Sequence, residues 1–150
     1  MTVYIDTSVI GGCLDPEFSY WSNKLMAEVK QGKLRVVISD ETLRELQHAP
    51  EKVRVILDHL PSHHVINAAV TEETIFLANR YIGEGAINSR HLSDATHIAL
   101  ATIYRADVLA SWNFKEMVNM LKIRKYNSVN LKYGYPLIDI RSPKELIYEE

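Results

Sequence analysis

Short apolar runs alternate with longer amphipathic segments along most of the sequence. Thr2–Ile5 is a β-prone run that ends at Asp6, and it predicts a first strand. Residues 34–38 are apolar except for Arg35, a pattern that is typical of a strand buried on both faces. Further strands are predicted at residues 64–66, 107–110 and 137–140.

Helices are predicted in the segments between these strands. A helix capped by Ser39 or Asp40 would direct Leu43 and Leu46 inward. The other predicted helices span residues 16–29, 51–60, 71–82, 91–106 and about 115–126, with a terminal helical turn at 142–145. The helix at 91–106 is the most apolar, because its buried stripe comprises Ala95, Ile98, Ala99 and Ile103, widened by Leu92 and Thr102.

The regular alternation of strands and helices predicts an α/β fold with a parallel sheet and helices on both faces. No internal repeat or Pro/Gly-rich linker interrupts it, so we expect residues 1–150 to form a single domain. Ligands of such sheets bind beyond the carboxyl ends of the strands. Polar residues just after each predicted strand are therefore the candidates for function.

Composition narrows the classes of protein that fit. Cys13 is the only cysteine, which excludes a disulfide framework. The sequence has no apolar run that could span a membrane, and Asp6 falls where a secretory signal would be apolar. We therefore expect a cytoplasmic protein. The net charge of -2 argues against binding nucleic acid mainly by counterion release, but bound metal can supply positive charge.

Four polar residues occupy the predicted strand ends or the helix turns beside them. Asp6 closes the first strand, Glu45 lies one turn into the helix after the second, and Asn113 follows the strand at 107–110. Asp94 lies in the first turn of the apolar helix, where it could either complement the helix dipole or bind a metal. Carboxylate oxygens are ligands for Mg²⁺ or Mn²⁺, which can activate water for attack on a phosphodiester.

The segments that carry these residues resemble the motifs of the PIN-domain family. They are Tyr4-Ile5-Asp6-Thr7-Ser8, residues 39–46, residues 93–99 and Leu109-Ala110-Ser111-Trp112-Asn113-Phe114, in the family's usual order over nearly the whole chain. The resemblance implies a parallel sheet of about five strands and divalent-metal endoribonuclease activity on RNA. In many prokaryotic members it also implies a VapC-type toxin with an antitoxin partner, and many relatives form homodimers.

The resemblance also implies roles for individual residues. Asp6, Glu45 and Asp94 would be acidic ligands of Mg²⁺ or Mn²⁺. Supporting positions are Thr7 and Ser8, which would hold Asp6 or a metal-bound water, and Ser111, which would orient its loop. Asn113 is the main departure, because many members have a fourth acid there, and this amide could assist catalysis or simply cap a turn.

Several alternatives stay open at the level of sequence. Glu41 lies on the same helix face as Glu45 and competes with it, although the residues around Glu45 carry the family motif. His97 shares a face with Asp94 and is interpreted as a satisfied core or rim histidine. Trp112 could stack on a base, but packing beneath the site is the favoured interpretation. The missing fourth acid favours one rival function, a catalytically weak or inactive module that binds RNA or a protein partner.

Overall fold

Five parallel strands form the centre of the structure, a computed structural model that describes residues 1–148. They are β1 (Thr2–Ile5), β2 (Arg35–Ser39), β3 (Val65–Ala68), β4 (Val108–Ala110) and β5 (Ile140–Arg141). Their order in the sheet is β3-β2-β1-β4-β5, so β1 is the central strand. Tyr4 of β1 is in register with Val37 of β2 and Leu109 of β4. This register brings the carboxyl ends of the three middle strands together.

Helices connect the strands and cover the sheet. They are α1 (Thr7–Gly12), α2 (Ser19–Lys30), α3 (Asp40–Leu46), α4 (Glu51–Arg54), α5 (Glu72–Gly83), α6 (Leu92–Ile103), α7 (Met120–Lys132) and α8 (Pro143–Tyr148). Short 3₁₀ turns occur at Val55–His59, Ser62–His64 and Ser89–His91. No helix among the described residues is long and apolar enough to cross a membrane.

The two faces of the sheet have separate apolar cores. On β1, Val3 and Ile5 point to a core that contains Leu25 of α2, whereas Tyr4 points to a core that contains Ile98 of α6. All of these side chains are fully buried. Successive residues of a strand face opposite sides, so β1 is apolar throughout because helices cover both faces. The predicted α/β class and the buried character of the second strand are confirmed.

Capping side chains set several helix starts. Ser39 accepts a hydrogen bond from the Thr42 backbone N–H at 3.2 Å, which begins α3 as predicted. Thr71 and Thr74 bond each other's backbone N–H groups and begin α5. Asn119 accepts from two backbone N–H groups and begins α7 at Met120. The predicted helix at 115–126 therefore starts too early.

Other boundaries also differ from the predictions. The first helix, α1, was not predicted, and it begins directly at the Asp6 cap. The segment predicted as one helix at 51–60 changes to a 3₁₀ turn after Arg54. The last strand is Ile140–Arg141 instead of 137–140. Leu43 and Leu92 were expected to face inward, but 47% and 49% of their surfaces are exposed because each lies on the outer side of its short helix turn.

Candidate functional site

Asp6 lies at the junction of β1 and α1 and is 4% exposed. Ser8 Oγ donates to Asp6 Oδ1 and Ser111 Oγ donates to Asp6 Oδ2, both at 2.6 Å. The Val9 backbone N–H also donates to Oδ1, at 3.3 Å, so the carboxylate caps α1. Burial raises the pKa of Asp6 above its usual value despite these donors and the nearby His97. The fold thus holds a carboxylate in place while its charge remains only partly compensated.

Both serines that hold Asp6 are themselves fixed by the loop after β4. Ser8 Oγ accepts from the Trp112 backbone N–H at 2.9 Å, and Ser111 Oγ accepts from the Asn113 backbone N–H at 3.0 Å. Each hydroxyl therefore donates to Asp6 and accepts from the backbone. This pattern locks the β4 loop onto the end of β1.

Glu45 projects from α3 toward the same edge of the sheet. Its Oε1 accepts from Thr7 Oγ1 at 2.6 Å and lies 2.5 Å from His97 Nε2. Burial opposes ionisation of Glu45, but these two donors outweigh it and lower the pKa to about 2. Glu45 is therefore a carboxylate at any pH near neutrality. Thr7 or Ser8 was expected to hold Asp6 or a metal-bound water; Ser8 is the residue that donates to Asp6, and Thr7 donates to Glu45.

His97 links Glu45 to the core through a chain of hydrogen bonds. It is 1% exposed, and its Nδ1 lies 2.6 Å from Tyr4 Oη, which in turn lies 2.6 Å from Ser39 Oγ. Burial lowers the pKa of His97, but Glu45 and the other nearby carboxylates outweigh it, and the net pKa is raised. The interpretation of His97 as a satisfied buried histidine is confirmed. Its contact with Glu45 is a role that sequence reasoning missed, since the two residues are 52 positions apart.

Asp94 stands in the first turn of α6 with a partly exposed side chain. Burial raises its pKa to about 6, with Asp6 and Glu45 adding to the effect and His97 and His91 opposing it. Asp6, Glu45 and Asp94 therefore lie close enough for their charges to interact. The three acids that the sequence singled out therefore lie near one another, but among residues 1–148 they do not converge as three metal ligands.

Asn113 contacts Asp94 through its amide nitrogen. Its Oδ1 accepts from the backbone N–H groups of Lys115 and Glu116 at 3.1 and 3.0 Å, which fixes the amide orientation. Its Nδ2 then donates to Asp94 Oδ2 at 3.3 Å. Asn113 is thus both a turn cap and a partner of the acidic site. The amide oxygen already accepts two backbone hydrogen bonds, so a role as donor to Asp94 fits this residue better than a role as metal ligand.

Glu41, the competitor of Glu45, has different partners. Arg44 forms an ion pair with it along α3, with an Nε–Oε1 distance of 3.0 Å, and Ser93 Oγ also contacts its carboxylate. Burial raises the pKa of Glu41, but Arg44 and Ser93 outweigh this effect and the net pKa is lowered. Glu41 is neutralised by Arg44 on its own helix, whereas the negative charge of Glu45 contributes to the raised pKa of Asp94. The choice of Glu45 over Glu41 as a metal ligand stays a prediction.

The donor set suits a hard divalent cation. No three Asp, Glu, His or Cys side chains among residues 1–148 converge in a geometry that could hold a metal ion. Mg²⁺ is often bound by only one or two carboxylates with several waters. Asp6 and Asp94 could supply such a pair, because both have raised pKa values that a cation would relieve. Glu45 is held by Thr7 and His97 and would act on the ion from the side.

Trp112 packs beneath the site. Its ring stacks on Phe18 with a centroid distance of 4.3 Å, and its Nε1 donates to Ser22 Oγ at 2.8 Å. The interpretation of Trp112 as a packing residue is confirmed. A cavity of about 430 Å³ opens beside this stack, next to Ser8 and Asn113. A second cavity, of about 510 Å³, lies at the opposite edge of the sheet beside Met1 and carries none of the candidate chemistry.

Solved structures of other proteins contain chains of similar fold, and two of them are DNA-bound complexes. A chain of VapBC2 from Rickettsia felis, solved bound to a DNA fragment from their promoter, matches with a TM-score of 0.59 and 16% identity over 95% of this chain and 98% of that chain. A chain of FitAB, solved bound to an IR36 DNA fragment, matches with a TM-score of 0.55 and 12% identity over 94% of each chain. No family model matches the sequence, and no curated protein matches it significantly. The likeness confirms the PIN-like α/β fold that the motifs predict.

Proposed function

We propose that this protein is a divalent-metal-dependent endoribonuclease that hydrolyses RNA phosphodiester bonds. The observation that carries the proposal is the grouping of Asp6, Glu45 and Asp94, in which burial first, and then the charges of Asp6 and Glu45, raise the pKa of Asp94 to about 6. Buried like charges are unfavourable unless a cation offsets them. Asp6 and Asp94, which have raised pKa values at the carboxyl edge of the sheet, suit Mg²⁺ or Mn²⁺ as cofactor.

Each residue of the acidic site has a separate role in this proposal. Asp6 and Asp94 would hold the ion, and Glu45 would add its negative charge nearby. Ser8 and Ser111 keep Asp6 in one orientation, while Thr7 and His97 do the same for Glu45. A divalent ion at this position would supply a lowered pKa for bound water and positive charge to offset that of the phosphate.

The fold and the motifs together favour a toxin of the VapC type. Both similar structures are complexes solved with DNA fragments, VapBC2 with one from their promoter. By analogy we propose that this chain pairs with an antitoxin protein and acts on RNA in the cytoplasm. The net charge of -2 suits this cofactor-dependent route to RNA, because the ion and not the protein surface supplies the positive charge.

A second candidate function is a catalytically weak or inactive module that binds RNA or a protein partner. Two observations favour it: Asn113 stands where many PIN domains have a fourth acid, and no three ligand side chains among the described residues converge. Under this alternative the acids would serve the fold, and Asp94→Asn would leave binding of the partner unchanged.

Metal-dependent thermal melting separates the two functions. For the nuclease, Mn²⁺ at about 100 times its dissociation constant stabilises the wild type by about 2.7 kcal/mol, which raises Tm by roughly 5 to 10 °C for a domain of this size. Asp94→Asn lacks the response and does not cut RNA, yet melts no lower than wild type in EDTA.

Asp58→Asn is the matched control, because Asp58 is exposed and lies in the 3₁₀ turn after α4, away from the site. It keeps both the metal response and the cleavage of RNA. A wild type that shows no metal response would reject the nuclease, and loss of folding in Asp94→Asn would assign the acids to the fold.

A further inference from the structure

A further cavity lies outside the acidic site, between the end of α5 and α7. Its volume is about 470 Å³, within the range of roughly 300–1,000 Å³ that is usual for small-ligand pockets. We call it the α5–α7 cavity. Its lining residues are Ile82, Gly85, Ile87, Asn88, Ser89 and Lys122.

The turn that ends α5 gives this cavity an apolar floor and a polar rim. Gly85 has a φ of +79°, a left-handed conformation that favours glycine at the end of a helix. A Cβ added there would meet nothing within 4 Å, so the space beside Gly85 is open. Ile87 then turns into the core and is 3% exposed, whereas Asn88 and Ser89 are exposed.

Hydrogen-bond donors occupy the rim. Asn88 Oδ1 accepts from the Arg90 backbone N–H at 3.0 Å, which fixes the amide orientation and leaves its NH₂ group as a donor. Within the part of the chain that the structure describes, neither this NH₂ group nor the Ser89 hydroxyl bonds to another protein group. Both groups can therefore bind an acceptor on a ligand.

Lys122 adds a positive charge that a buried carboxylate holds in place. Its Nζ lies 3.2 Å from Glu116 Oε2 and donates to Ala86 O at 3.4 Å. Glu116 is 5% exposed, so the ion pair is anchored on the protein side. An ammonium group has three N–H donors, and these two contacts leave one of them for a ligand in the cavity.

A series of contacts connects the α5–α7 cavity to the acidic site. Glu116 Oε1 lies 3.5 Å from His91 Nε2, and His91 Nδ1 lies 3.8 Å from Asp94 Oδ2. Arg90 is exposed and donates from Nε to His91 Nε2 at 3.3 Å. Arg90 and Lys122 therefore bring two positive charges to the Asp94 side of the site, although the whole chain has a net charge of -2.

This chemistry favours a phosphate ligand. A phosphodiester carries a negative charge and presents oxygens that accept hydrogen bonds, so it suits a rim of donors beside a lysine. The carboxylates nearby do not oppose it, because Glu116 is paired with Lys122 and Glu84 with Lys132. The cavity's place beside Asp94 favours a nucleic-acid phosphate over an acidic side chain, because a strand bound at the acidic site carries further phosphates on either side.

We propose that the α5–α7 cavity binds one backbone phosphate of the RNA strand, on the Asp94 side of the phosphate that is cut. This inference rests on the proposed nuclease function and adds a second contact surface for its substrate. Lys122 supplies the charge, while Asn88 and Ser89 donate to the phosphate oxygens. Contacts of this kind fix the position of a strand without selecting its bases.

Two variants test the cavity in different ways. Lys122→Gln removes the cation, but it also leaves Glu116 without its partner and could weaken the fold. Asn88→Asp avoids this difficulty: it keeps the oxygen that accepts from the Arg90 backbone N–H and places a negative charge at the rim. Thermal melting first establishes that both variants fold.

Each variant has a control with the same change of charge. Lys30→Gln removes an exposed lysine at the end of α2, which packs on the other face of the sheet from α7. Asn67→Asp adds a charge at an exposed position of β3.

The measurement is fluorescence anisotropy of a dye-labelled, unstructured RNA of ten nucleotides, in EDTA so that no RNA is cut. Binding is followed between about 50 and 200 mM salt, and the logarithm of the association constant is plotted against that of the salt concentration. Inorganic phosphate and a polyglutamate peptide of ten residues are tested as competitors. Cleavage with Mn²⁺ is assayed separately on the same variants.

We expect Lys122→Gln to reduce the salt slope by about 0.7, the value for one phosphate contact of a single strand. We expect it and Asn88→Asp each to weaken RNA binding by roughly 2- to 5-fold at low salt, the effect of one exposed charge pair. Both controls should follow wild type. Neither competitor should displace RNA at an equal concentration of charged groups.

Unchanged slope and affinity in folded Lys122→Gln and Asn88→Asp would overturn the phosphate site and leave the nuclease intact. A slope that depends on Lys122 in a protein that cuts no RNA keeps the phosphate site and rejects the nuclease. Displacement by polyglutamate that is lost in Lys122→Gln overturns the proposal in favour of an acidic protein partner. The same result with inorganic phosphate overturns it in favour of a small phosphate compound.

Discussion

At the residue scale, the three acids differ in their hydrogen-bond donors and in their pKa values. Glu45 has two strong donors and a pKa of about 2, whereas Asp94 has one long hydrogen bond, from Asn113, with His91 Nδ1 at 3.8 Å, and a pKa of about 6. The difference arises because Thr7 and His97 compensate the charge of Glu45, while burial and the other two acids oppose the charge of Asp94. Asp94 is therefore the acid whose protonation responds to pH closest to neutrality among those with a pKa near 2 or 6.

This raised pKa predicts a pH-dependent stability. In the unfolded chain Asp94 binds a proton only below about pH 4, whereas in the fold it does so below about 6. Between these values the native state binds more protons, so stability falls as pH rises through this window. Above pH 6 the full cost is present, about 1 to 2 kcal/mol once solvent exposure of the carboxylate is allowed for.

Asp94→Asn removes that cost. In urea denaturation with EDTA, the variant should exceed wild type by this amount at pH 7.5 and equal it near pH 4. Asp58→Asn, at an exposed site, should follow wild type throughout. A constant difference between Asp94→Asn and wild type across the whole pH range would contradict the assignment of the shift to Asp94.

Asn113 allows the opposite experiment, the addition of a charge. Asn113→Asp keeps the oxygen that caps the turn but replaces the donor to Asp94 by a second carboxylate. Without metal, we expect a loss of stability of about 1 to 2 kcal/mol at pH 7.5 from repulsion. With metal, we expect Mn²⁺ to bind about tenfold more tightly in calorimetry, since the cation gains an anionic ligand.

Asn119→Asp is the control for this change. Asn119 caps α7 through the same geometry, with Oδ1 accepting from the backbone N–H groups of Leu121 and Lys122 at 3.1 and 3.2 Å. Its replacement keeps the cap, so Mn²⁺ affinity should stay at the wild-type value. Equal Mn²⁺ affinity in wild type and Asn113→Asp would show that position 113 does not face the ion.

At the element scale, the His97–Glu45 contact joins α6 to α3. Each residue sits on its helix by a pattern that the sequence shows, but only packing places Nε2 2.5 Å from Oε1. The pair is buried on the histidine side and partly exposed on the glutamate side. Removing one partner leaves the charge of the other side chain without a counter-charge. Single substitutions in such pairs therefore lower stability strongly.

A double-mutant cycle measures this link between helices. We expect Glu45→Gln and His97→Gln to show a coupling energy of about 1.5 kcal/mol or more in urea denaturation at pH 6, where His97 is protonated. The exposed pair Lys132–Glu84 joins α7 to the end of α5 and provides the control cycle, for which we expect no measurable coupling. Additive effects at His97 and Glu45 would exclude their contact.

Capping residues predicted some helix starts correctly and others wrongly. Local caps such as Ser39 and Thr71 were readable, because a side chain bonds a backbone N–H three residues ahead. The start of α7 was misplaced because Asn113 and Asn119 both cap, and the first of them holds only a turn. The choice between two caps depends on whether the following residues can continue as a helix against the core.

At the scale of the whole molecule, the parallel order β3-β2-β1-β4-β5 creates the site. It sets β1 between β2 and β4, so the loops that carry Asp6 and Ser111 meet, and the helix after β2 brings Glu45 to the same edge. Self-association stays a prediction. Tyr20 on α2 is 62% exposed and Trp21 packs edge-on against it, which keeps an aromatic surface open to a second copy.

The sequence by itself determined the class of fold and the identity of the three acids. Apolar runs and helical stripes alternate regularly enough to predict a covered parallel sheet. The strand-end rule and the resemblance to the PIN-domain motifs then point to Asp6, Glu45 and Asp94, and the motif decides between Glu45 and Glu41. These features are local, since each depends on residues within one or two turns of each other.

Only the tertiary structure decided how those acids are held. The pairing of Thr7 and His97 with Glu45, of Ser111 with Asp6 and of Asn113 with Asp94 spans 19 to 105 positions of sequence. No local pattern encodes such contacts, because they depend on the order of strands in the sheet. The same order places Phe18 against Trp112 and opens the pocket beside them.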